Sequence, residues 1–126
     1  MTIGVANFTG TETVSTTEWS MTTDTAGPDA DTTVGMFQAC IDLSALVAAD
    51  VFEFKCYEKA RSGDTQRLCF SAQFSNAQAS PLWFSPALIL GVGWDMTLKR
   101  LAGADRTIVW SIRGVTCCRF TKLTSR

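Results

Sequence analysis

A chain of 126 residues (13.7 kDa), 46% of them hydrophobic and 18% charged, has the apolar material for one domain core and too little charge for a disordered chain. Its formal net charge is −1 and it contains no histidine, which removes the commonest general base, nucleophile activator and metal ligand together, so a non-enzymatic protein is expected. No apolar run approaches the roughly 20 residues of a membrane span. The start "MTIGVANFTGTE" also lacks a basic segment followed by an apolar one, so the cytosol, or a particle assembled there, is the expected home.

Taken in chain order, residues 1–11 read as an extended arm and "TVSTTEWSMTT", rich in β-branched residues, as the first strand. "TAGPDADTT" is an exposed loop. In "TTVGMFQACIDL", Phe37, Ala39 and Ile41 share one face of a strand, opposite Met36, Gln38, Cys40 and Asp42. "LSALVAAD" is one helical turn or a packed crossover loop. "VFEFKCYEK" sets Phe52, Phe54 and Cys56 against Glu53, Lys55, Tyr57 and Lys59; "RLCFSAQF" sets Leu68, Phe70, Ala72 and Phe74 against Arg67, Cys69, Ser71 and Gln73. Between these two, "ARSGDT" supplies Gly63 for a positive φ. "SPLWFSPALILGVGW" is a strand bent or broken by Pro81 and Pro86. A last hairpin turns at "AGAD", with Trp94, Met96 and Leu98 on one face of its first strand and Ile108, Trp110 and Ile112 on one face of its second. Residues 115–126 form a second arm. Period-two alternation throughout predicts an all-β chain, a single antiparallel β-sandwich domain over 1–126 with seven or eight strands, for which jelly-roll connections are one route.

The cysteines test the register. If the apolar faces of 51–58 and 67–75 lie on one side, Phe52 pairs with Phe74 and Cys56 with Phe70, which calls for an odd loop, such as three residues around Gly63 with a bulge. Pairing Cys56 with Cys69 would set Phe52 opposite Gln73 and turn an apolar row to water. The register therefore predicts no bridge here, with Cys56 a core residue and Cys69 an outer thiol.

Motifs for chemistry are sparse. Cys40, Cys56, Cys69, Cys117 and Cys118 contain no C-x-x-C pair, and adjacent Cys117 and Cys118 point to opposite faces of a strand, so no zinc site is expected. Asp24, Asp29 and Asp31 could gather oxygens around calcium but lack EF-hand spacing, and polar turn chemistry accounts for them. The G-x-G at Gly91 and Gly93 lacks the third glycine of a dinucleotide loop, Glu53 and Glu58 fall on opposite faces, and "RSGD" is turn chemistry. No catalytic residue, cofactor or metal is expected.

Charge is segregated along the chain. Residues 1–50 hold seven acids and no base, while residues 97–126 hold seven bases and one acid, Asp105. Such ends either neutralise one another in the fold or bind a partner. The basic stretch "RGVTCCRFTKLTSR" has one aromatic ring, Phe120, too few for a nucleic-acid groove.

The segments "FEFKCYEKARSGDTQR" and "LILGVGWDMTLKRLAGADRTIVWSIR" resemble those of small proteins encoded among the virion genes of tailed bacteriophages, over about residues 12–113. That resemblance implies a capsid cement or decoration protein that binds and stabilises the major capsid protein shell, as a dimer or trimer, on the capsid surface after assembly in the host cytoplasm. A tail or baseplate component is the alternative within that class, and a carbohydrate-binding β-sandwich module the alternative outside it. Expected contact residues are Trp83 and Phe84, from a stretch with more apolar surface than a one-sided strand needs, and the bases Arg113, Arg119, Lys122 and Arg126. Membrane and nucleic acid are not expected partners.

Overall fold

The computed structural model describes residues 3–117 and is all-β. Its strands are β1 (Ile3–Val14), β2 (Trp19–Ser20), β3 (Thr25–Ala26), β4 (Gly35–Asp42), β5 (Val51–Glu58), β6 (Arg67–Ser75), β7 (Leu82–Phe84), β8 (Leu88–Leu90), β9 (Asp95–Ala102) and β10 (Arg106–Cys117). Sheet A runs β1-β10-β4-β7, with β8 also paired to β4; sheet B runs β3-β2-β9-β5-β6. Every pairing is antiparallel. Counting β7 and β8 as one interrupted strand and setting aside β3, a two-residue edge strand beside β2, leaves eight strands in jelly-roll order, which alternate between the sheets except at the β5–β6 hairpin.

The alternating rows meet in one core. From sheet A come Phe37, Ala39 and Ile41 of β4 and Ile108, Trp110 and Ile112 of β10; from sheet B come Phe52, Phe54 and Cys56 of β5 and Met96 and Leu98 of β9, all buried. Trp94, just before β9, is fully buried, packs 4.5 Å from the Phe37 ring centroid and donates its indole N–H to the Thr33 carbonyl. Its backbone bridges to Asp31, pinning the long 27–34 loop to sheet B.

Two expectations are corrected. The first strand is β1, not 13–23, and residues 3–11, read as an arm, pair with β10 along their whole length. The inner row of this strand, with Phe8 packed against the core and Val14 in it, is interrupted because its position opposite Trp110 is Gly10, where a Cβ would come within 2.5 Å of the indole Cζ2. "LSALVAAD" is a crossover loop, with Leu43 and Leu46 buried, rather than a helical turn. The proline-containing strand is two short strands on opposite ends of β4, and between them the Ser85 hydroxyl accepts the Ala39 N–H at 2.9 Å where a ladder carbonyl would have stood.

The β5–β6 hairpin keeps the predicted pairs Phe52 with Phe74 and Cys56 with Phe70, but its loop is longer than three residues, spanning 59–66. Parity is restored by a bulge: beyond Cys56 the register slips, so that Tyr57 pairs with Leu68 and Cys69 is the extra residue. Leu68 is thereby moved from the predicted inner row to the outer face, where it is half exposed. Cys40, Cys56 and Cys69 are free thiols. Arm residues 115–117 continue β10, and residues 118–126, with Arg119, Lys122 and Arg126, lie outside the described residues.

Candidate functional site

The two sheets treat their outer faces differently. On sheet B, segment 15–31 folds across the outer ends of β9 and β5 and seals them with polar links. Glu18 accepts hydrogen bonds from the Tyr57 and Thr97 hydroxyls, and Asp95, fully buried, accepts from the Thr22 hydroxyl at 2.7 Å and the Asp29 N–H at 2.8 Å. Burial pushes the Asp95 carboxyl up despite those donors, and burial followed by the Glu18 bond pushes the Tyr57 phenol up. Both acids are occupied by donors of the chain itself, the pattern of a structural seal.

The acids of "DTAGPDAD" behave in the same way. Asp24 accepts the Trp19 indole N–H, Asp29 accepts the Thr23 and Thr25 hydroxyls, and Asp31 accepts the Thr33 N–H. Each carboxylate serves its own turn, and among the described residues no three acids or cysteines converge on a metal-sized space.

Among the described residues, sheet A carries no such cover. Register places its outward residues in rows: Thr11, Val109, Asp42, Leu82; Thr9, Ser111, Cys40, Phe84; Asn7, Arg113, Gln38; and Val115, Met36, Ile89. Of the ten exposed large hydrophobic residues among those described, six stand here: Met36, Leu82, Phe84, Ile89, Val109 and Val115. Ile89 is 82% exposed, so none of the described residues covers this aliphatic side chain on the sheet face. Shallow grooves of about 730 Å³, over Thr9, Cys40, Val109 and Arg113, and about 210 Å³, between Met36, Ala87 and Val115, run across the face.

Arg113 sits at the centre of this surface. Its guanidinium carbon lies 5.4 Å from the Phe84 ring centroid and its Nε donates to the Ser111 hydroxyl, so an exposed charge is held over an aromatic face. The structure thus brings two of the expected contact residues, Phe84 and Arg113, together. Trp83 is corrected: its ring turns inward, 4.9 Å from Phe74 and 5.2 Å from Phe54, and its neighbours Leu82 and Phe84 supply the outer surface. Met36 and Val115 share this exposed face but were not among the expected contact residues. For Met36 the signal was present, since it alternates with the inward Phe37; Val115 was hidden by reading 115–126 as an arm.

No protein-family model and no curated protein matches this chain. Among solved structures, a protein of Bacillus endospore appendages, described as forming "a novel family of disulfide-linked pili", is similar with a TM-score of 0.51 and 9% identity, over 92% of this chain and 90% of that one. At that identity the likeness concerns the fold, a double-sheet β-sandwich of the same extent.

Proposed function

We propose that this chain is a non-enzymatic virion structural protein of a tailed bacteriophage, a cement protein that docks the outer face of sheet A on the major capsid protein shell and stabilises it as a homo-oligomer. The observation that carries the reading is the concentration of Met36, Leu82, Phe84, Ile89, Val109 and Val115 on one uncovered sheet face around Arg113. An apolar centre with an aromatic ring and an arginine, rimmed by threonines, is the composition of a protein–protein contact. A β-sandwich with most of its chain in strands also suits a part that must resist load rather than open and close. The resemblance of the two hairpins to phage virion proteins supplies the particular partner.

A second reading is a subunit of a homopolymeric fibre, favoured by the pilus-forming protein whose fold this chain shares. In that case the same face meets another copy rather than a shell. The test is co-sedimentation of wild-type protein, Ile89→Asp and Val109→Asp with capsids stripped of accessory proteins, alongside sedimentation of each protein alone. A carboxylate buried without a partner should weaken capsid binding by ~1–3 kcal/mol, about five- to 150-fold, with the fold unchanged. Wild-type polymers without capsid binding, dissolved by the same substitutions, would favour the fibre. Unchanged behaviour of both variants in both assays would remove sheet A as the contact face.

A further inference from the structure

The bulge in β6 changes what two of the cysteines can do. Without it, Cys69 would face away from Cys56; with it, Cys69 and Phe70 together stand opposite Cys56. The Cys69 thiol donates to the Cys56 carbonyl oxygen at 3.2 Å, which sets its sulfur beside the Cys56 backbone. They differ in access: Cys56 is fully buried and Cys69 is exposed. Burial, and then the neighbouring Cys69, push the Cys56 thiol up, so it is an inert partner at neutral pH until a disulfide is presented beside it. Cys69 opens on a groove of about 560 Å³ whose walls carry Lys59 and Arg67 together with Glu58 and Asp64.

We infer that Cys56 and Cys69 form a thiol–disulfide exchange pair, in which a small disulfide of the glutathione class reacts at Cys69 and leaves the chain with a Cys56–Cys69 bridge. Two bond exchanges accomplish this. The Cys69 thiolate attacks one sulfur of glutathione disulfide, the S–S bond breaks, and one glutathione departs as a thiolate that takes a proton from solvent. Cys56, which solvent does not reach, then gives its proton to the departing glutathione sulfur as it attacks the Cys69 sulfur, breaking the mixed disulfide and releasing the second glutathione as a thiol. Two protein thiols lose two electrons, and one glutathione disulfide gains them to become two glutathione thiols.

The order follows from access, since only Cys69 meets the oxidant and only Cys56 lies behind it. Lys59 and Arg67 on the groove wall offer positive charge to the carboxylates of glutathione. The bridge ties the edge strand β6 to β5 at its irregular point, closing the segment 57–68 and restricting the unfolded chain. In a reducing cytosol the pair stays open, and it closes when the chain meets an oxidising medium.

The experiment uses the full chain, reduced and freed of reductant, then incubated with excess glutathione disulfide at about pH 8, near the ordinary thiol range. After acid quenching and alkylation, peptide mapping without reductant should show Cys56 and Cys69 in one cross-linked species. The thermal midpoint should move upward, and dithiothreitol should reverse both changes. Cys69→Ser, at an exposed position, should remove the bridge and leave Cys56 free of glutathione; Cys40→Ser should retain the bridge. A lasting glutathione adduct on Cys69 with Cys56 alkylated only after unfolding would overturn the pair, as would oxidation of Cys56 in the Cys69→Ser protein or a bridge from Cys69 to any other cysteine. These outcomes need no capsid and no second copy, so they are separate from the assembly role.

Discussion

Asp50 shows how the segregated charges are used. It is buried at the end of the β4–β5 crossover and accepts two hydrogen bonds from Arg106, at 2.7 and 3.3 Å, with further donors from the Val47 and Ala104 backbones. Among the described residues it is the one acid of the first fifty that forms an ion pair with a base of the last thirty. Arg106 foremost, then the Val47 N–H, hold its carboxyl at about 2, below the ordinary 3.8. A depressed folded-state value means that the stabilisation is complete above about pH 4 and is lost as pH falls toward 2. The thermal midpoint of the wild type should therefore drop through that window, and Asp50→Asn should be less stable at neutral pH while losing most of that drop. Asp95 acts in the opposite sense, because its raised value favours the folded state on acidification, so the comparison of wild type with Asp50→Asn isolates the depressed group. Parallel pH profiles for the two proteins would refute the assignment to Asp50. The charge split was plain in the sequence; that Asp50 would be the residue to meet Arg106 was not, since it depends on a crossover loop arriving beside the β9–β10 turn.

At the scale of elements, alternation was legible wherever a strand has a core row of large residues, as in β4, β5, β9 and β10. It was illegible in β1, whose inner row yields space to Trp110 through Gly10, and in β2 and β3, too short to show a period. The β6 bulge was legible only in part: parity demanded an odd step between Cys56 and Phe70, but not its place. That place makes a prediction. Phe54→Ala removes a fully buried ring and should cost ~3–5 kcal/mol, whereas Leu68→Ala, moved outward by the bulge, should stay within about 0.5 kcal/mol. Urea denaturation measures both, as a shift of midpoint at constant slope. A loss of ~2 kcal/mol or more at Leu68 would put that side chain back in the core row and the bulge elsewhere. The same local feature joins Cys69 to Cys56, so a residue that register alone assigned to the opposite face becomes its neighbour.

For the whole molecule, the contrast between the faces organises the account. Sheet B has the outer ends of β9 and β5 sealed by segment 15–31 through Glu18, Asp29 and Asp95, while sheet A presents apolar rows to solvent. Surplus apolar residues in "SPLWFSPALIL" were visible in the sequence, but which of them turn outward required the antiparallel pairing with β4: Trp83, Leu88 and Leu90 go in, and Leu82, Phe84 and Ile89 go out. The fold class followed from alternation and turn spacing, whereas the contact face followed only from tertiary register, because an exposed leucine and a buried one read alike along a chain. The most direct test is oxidative footprinting of Met36, Phe84 and Ile89 in the free protein and in the assembled particle. The account predicts that all three lose most of their reactivity on assembly while exposed Leu68 of sheet B keeps its own. Equal reactivity of the sheet A residues in both states, with protection along β6 instead, would contradict it.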